Sequence, residues 1–129
     1  ILLGYKILYN PYAILYHWSN SGINRNPNKE FIVNYYGCRN YIITLLKVLS
    51  LRNLLIILPI HICLWLVFGI IKKRLKYYIP AIVNVYYNYS KIMIKRKYLQ
   101  SMRKVSDREL LIKFPTWRML WGKIVKGKY

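Results

Sequence analysis

The chain has 129 residues, with 22 Lys and Arg against 3 Asp and Glu, a formal charge of +19 at pH 7. One domain at most fits this length, and a content of 56% hydrophobic and 16% aromatic residues excludes the poorly hydrophobic, highly charged class of disordered chains. Glu30, Asp107 and Glu109 are the only side-chain carboxylates, so neither paired-carboxylate acid/base catalysis nor an oxygen-ligand metal cage has the groups it needs, and a complete enzyme is not expected.

The opening at Ile1, with no Met and no charged-then-apolar leader, reads as a truncated start without a signal peptide. Ile1-Leu2-Leu3-Gly4 reads as a last helical turn closed by a glycine. Residues 5–9 and 13–17 are apolar and aromatic, with Asn10-Pro11 between them, which predicts two brief strands and a turn. The Ser-, Asn-, Gly- and Pro-rich stretch 18–28 has no apolar period and reads as a surface loop long enough to act as a lid.

From Lys29 the pattern becomes helical. Phe31, Tyr35, Cys38, Ile42, Leu45 and Leu49 fall at a 4-3-4-3-4 spacing, one stripe on one face, with Asn28 as the expected cap and Glu30 at the positive end of the helix dipole. Lys29, Asn40 and Lys47 take the opposite face, and Arg52-Asn53 is expected to end the segment. Residues 54–71 then run for eighteen positions without a formal charge, interrupted by Pro59 and His61, at the lower edge of what crosses a bilayer. A basic cluster at 72–76 follows. Residues 77–89 are apolar but studded with Tyr and Asn, interfacial in character, with Pro80 at the expected helix start. Residues 91–104 read as a basic amphipathic helix, and Asp107 and Glu109 open a short helical run to Ile112. Beyond Pro115 the tail mixes Trp117 and Trp121 with Arg and Lys. Cys38 and Cys63 lack the paired spacing of a zinc knuckle or redox motif and are expected as buried free thiols. The fold class expected is therefore mainly α with a short β segment.

Several segments together resemble one family. Gly4-Tyr5-Lys6-Ile7-Leu8-Tyr9-Asn10-Pro11, then Ala13-Ile14-Leu15-Tyr16-His17, a polar loop, Arg39-Asn40 and later Lys47 are similar to the carboxy-terminal part of a family 2 glycosyltransferase of the rhamnosyltransferase-like group. Residues 100–110 resemble the tail that follows the membrane-associated helices of such enzymes. The resemblance implies the closing edge of a GT-A α/β domain over 1–28, an amphipathic helix over 29–53, hydrophobic membrane-associated helices over 54–94 and a basic tail over 95–129. It also implies a nucleotide-sugar donor, a lipid-linked or polysaccharide acceptor, and a divalent metal, Mg or Mn, in the full-length enzyme. The acidic motifs that hold that metal and supply the base are missing here, so the chain is expected to be inactive alone and to bind no metal itself.

Two readings of His17 stand side by side: a neutral ring nitrogen on the metal or donor diphosphate, which the resemblance favours, and an ordinary loop-edge histidine. Ser19 and Ser21 can touch the acceptor or simply keep the loop soluble. Arg39 and Asn40 can meet a phosphate or hold helices together. His61, inside an apolar run, reads as a satisfied buried group or a helix-interface hydrogen bond. The positive charge suits an anionic membrane surface on the cytoplasmic side better than nucleic acid, because the uncharged run has no place in a small RNA-binding module. The competing functions are a non-enzymatic basic membrane anchor and, at lower weight, a nucleic-acid-binding protein.

Overall fold

The computed structural model describes residues 2–5, 10–12 and 26–113. Residues 6–9 and 13–17 of the expected strands and residues 18–25 of the expected loop lie outside these residues. Among the described residues the chain is mainly helical and has no strand. Gly4 has φ +82°, the left-handed conformation that a helix-closing glycine accepts cheaply. Asn10 Oδ1 accepts the Tyr12 amide at 3.0 Å, a local turn at Asn10-Pro11.

The first helical rod is built in three pieces: α1 (Lys29–Phe31), a π-helical turn (Ile32–Tyr36) and α2 (Gly37–Val48). Cys38, Ile42, Leu45 and Leu49 of the expected stripe are buried, together with Leu46. The stripe fails at its start. Phe31 is 42% exposed and Asn34 is buried in its stead, because the wider π turn rotates the first residues relative to the helix that follows. Asn28 makes no side-chain cap; Asn26 instead accepts the Asn28 amide at 2.8 Å and the Lys29 amide at 2.9 Å.

The rod ends at Leu49, which turns extended, and α3 (Leu51–Ile71) begins at once. Arg52 and Asn53 therefore belong to α3, and the boundary expected after residue 53 lies three residues earlier. Pro59 sits inside α3 without ending it. Lys72, Lys73 and Arg74 turn the chain, with Lys73 at φ 55°, into α4 (Leu75–Tyr87). Pro80 does not start α4 but lies inside it; the packing of Tyr78, Ala81 and Val85 outweighs its missing donor. Asn88 separates α4 from α5 (Tyr89–Ser101), and α6 (Asp107–Lys113) starts at the expected aspartate.

Side-chain pairings give the topology. Tyr41 meets His61, and Glu30 meets Arg74, so α3 runs back along the first rod. Asn34 pairs with Tyr78, Arg39 with Asn84 and Leu46 with Arg96, so α4 and α5 run alongside that rod in its own direction. The result is an up-down-up arrangement of three rods. Its core joins Cys38, Ile42, Leu45 and Leu46 to Trp65, Tyr78, Ala81 and Val85. At the α3–α4 turn side chains of α4 pack so tightly against the α3 backbone that a Cβ on Gly69 would lie 2.8 Å from both Leu75 and Tyr78 side-chain atoms.

Candidate functional site

α3 has two faces of nearly equal hydropathy and different surroundings. Leu54, His61, Trp65 and Gly69 are buried against the other rods. The opposite row is open: Ile56 is 59% exposed, Ile60 54%, Val67 53% and Ile70 64%, and Cys63 lies among them. α4 adds exposed Ile79 and Val83. These side chains are exposed and apolar, and among the described residues α3 is long and apolar enough to cross a membrane. Basic residues stand at both of its ends, Arg52 at one and Lys72, Lys73 and Lys76 at the other.

The inner face is specific in shape and hydrogen bonding. Tyr41 Oη lies 3.1 Å from His61 Nδ1, the helix-interface bond expected for His61. Trp65 packs its ring 4.9 Å from Tyr78. Burial pushes the Cys38 thiol up to about 12, so it stays protonated and inert at neutral pH. Cys63, expected to be buried, is exposed on the outer face; an uncharged run gives no signal of which side points outward.

The break between α2 and α3 holds a dense cluster of polar contacts, and nothing local in the sequence announced it. Four α2-end carbonyls are taken from α5: Arg96 Nη1 donates to Leu46 and to Leu49, the latter at 2.7 Å, and Gln100 Nε2 donates to Lys47 at 2.9 Å and Val48 at 3.0 Å. The start of α3 is held by an anion, since Asp107 accepts the Ser50 amide at 3.0 Å, the Ser50 hydroxyl, Asn53 Nδ2 at 2.5 Å and Arg103 Nη2. Cations at a helix C-terminus and an anion at an N-terminus both suit the helix dipoles. Burial pushes the Asp107 carboxyl up, but the hydrogen bonds from Ser50, Arg103 and Asn53 more than offset this and hold it below the usual carboxylate value. Beside this cluster lies an open cleft of about 490 Å³ lined by Ser50, Arg52, Asn53, Ile56, Arg103, Ser106 and Asp107.

Of the residues singled out in the sequence, His17, Ser19 and Ser21 lie outside the described residues. Arg39 and Asn40 sit on α2. Arg39 Nε donates to Asn84 of α4 at 2.7 Å and Nη1 to Asn40 at 3.2 Å, so the guanidinium ties two helices. A divalent metal does not fit the carboxylates present. Asp107 is fully engaged, Glu30 accepts from Tyr77 and pairs with Arg74, Glu109 accepts from Ser106, and no three metal-binding side chains meet among the described residues. No protein-family model, characterised protein or solved structure matches the chain.

Proposed function

We propose that the chain is the membrane-binding, carboxy-terminal part of a family 2 glycosyltransferase, which transfers a sugar from a nucleotide donor to a lipid-linked or polysaccharide acceptor at the cytoplasmic face of a membrane. The enzymatic half of this reading rests on the Gly-Tyr-Lys to Tyr-His segment and the later Arg39-Asn40. The membrane half rests on one observation, the outward apolar row of α3 with Arg52 at one end and Lys72, Lys73 and Lys76 at the other. That arrangement favours a helix lying in the interface, apolar face down and basic ends among headgroups. The neighbouring rods oppose a crossing: Arg39 sits in mid-bundle beside Asn84, and a charged side chain at that depth costs roughly 2.5–3.5 kcal/mol even on insertion scales. Before residue 54 the chain has six basic residues and one acid, and after residue 71 sixteen and two, so both flanks prefer the positive, cytoplasmic side.

In this reading the acidic groups that hold the donor and activate the acceptor belong to a longer chain. His17 would then contribute a neutral ring nitrogen at the edge of that site. Membrane association is tested by fractionation: the chain should pellet with membranes through high salt and leave them only in detergent. Release by salt alone would overturn it and favour a polyanion binder, whose affinity falls steeply with salt. The enzymatic half is tested upstream of Ile1, where a reading frame should encode an acidic donor-binding motif and a later acidic base motif; a stop codon there would end it.

A further inference from the structure

The cleft at the break between α2 and α3 has features that the interhelical bonding does not use. Arg52 lines it, is exposed, and makes no hydrogen bond or ion pair among the described residues. Arg103, on the other wall, is fixed by Asp107, by the Val105 carbonyl at 2.6 Å and by Gln100 at 3.3 Å. Asp107 cancels one of the two guanidinium charges, so the cleft keeps a net positive charge with Arg52 as its free arm. The amides at the start of α3 are not the attraction, since Asp107 already takes the Ser50 amide.

The position of the cleft selects its occupant. Ile56 lies one helical turn beyond Arg52, lines the same cleft, and begins the exposed row that continues through Ile60, Cys63 and Val67. A ligand that fits has an anionic head for a planar guanidinium fork and an apolar tail leaving directly past Ile56. We infer that this cleft binds the phosphate of an anionic lipid whose tail enters the bilayer beside Ile56. The inference rests on the membrane reading above and adds a defined headgroup site to it. A general basic surface would attract any anionic membrane equally; this site discriminates by phosphate and depends on one arginine.

The test uses the full chain with three vesicle compositions: phosphatidylcholine alone, phosphatidylcholine with phosphatidic acid, and phosphatidylcholine with a carboxylate lipid at matched surface charge. The chain should bind the phosphatidic acid vesicles more tightly than the carboxylate ones. Arg52→Gln should lose that preference, with binding weakened about tenfold, as expected for one charge-assisted contact. Lys97→Gln, the same charge change at an exposed site on α5, should keep it. Circular dichroism confirms that both variants stay helical. Equal binding to both anionic vesicles, or an Arg52→Gln variant that behaves like Lys97→Gln, overturns the lipid-phosphate site while leaving membrane association standing. Full displacement by millimolar inorganic phosphate also overturns it, because the cleft would then hold free phosphate without a tail. Binding to none of the vesicles overturns both the site and the membrane reading.

Discussion

The two faces of α3 differ little in hydropathy and greatly in kind. The inner face carries a histidine with a hydroxyl partner, a tryptophan against a tyrosine, and a glycine where two helices touch. The outer face carries mostly aliphatic Ile and Val with no ring contacts. A surface that packs against one fixed partner needs shape and placed polar atoms; a surface that meets lipid needs neither. This contrast, rather than any stripe of polar residues, separates the protein-facing side of α3 from the side left open.

The largest effects should come from breaking what fastens the inner face. Asp107→Ala leaves Arg103 without its buried partner and removes the acceptor for Ser50 and Asn53, so it should cost about 3–5 kcal/mol in thermal unfolding. The same carboxylate sets an acid limit. Its folded pKa lies below the ordinary 3.8, so its stabilisation is complete at neutral pH and drains away as pH falls below that value and through the lower folded one. A titration of unfolding free energy should therefore drop there in the native chain and run flatter in Asp107→Asn. Trp65→Ala should cost a similar amount, about 3–5 kcal/mol, by opening a cavity against Tyr78 and Tyr41. Gly69→Ala should cost less, about 1–3 kcal/mol, because the Leu75 side chain can yield whereas buried Tyr78 has little room.

Smaller effects sharpen the contrast from the other side. Neutralising the exposed Glu30–Arg74 pair, 3.7 Å apart, should change stability by no more than about 1 kcal/mol. Ile60→Ser on the outer face should shift unfolding by about 0.5 kcal/mol or less, yet weaken vesicle binding. A loss of stability there comparable to Trp65→Ala would mean that the outer face is packed against protein.

Much of this was readable along the chain. Cys38, Ile42, Leu45 and Leu49 recur at helical spacing, and their burial followed directly. The existence of α3 followed from its uncharged run, and the His61 contact from a lone histidine in apolar surroundings. What escaped depends on distance or on local geometry without a signature. Asp107 reads as a helix-start acid, but its work is done on Ser50 and Asn53, more than fifty residues earlier. The π turn that exposes Phe31 and buries Asn34 leaves no mark on the apolar period, and Pro80 resembles a helix start while tertiary packing carries α4 through it. Arg39 was open to either role, and its bond to Asn84 could not be foreseen without knowing that α4 runs beside α2.

Cys63 offers the most direct test of an α3 lying in the membrane interface. It is exposed on the outer face, while buried Cys38 is held protonated and should not react, so a thiol-specific nitroxide should label one site. With the chain bound to vesicles, collision rates with oxygen and with a water-soluble nickel chelate give the depth of the label. Interfacial α3 predicts a label shielded from nickel, reached by oxygen, and about 5–10 Å below the headgroup boundary. A label freely reached by nickel, or one at the bilayer midplane, would contradict it.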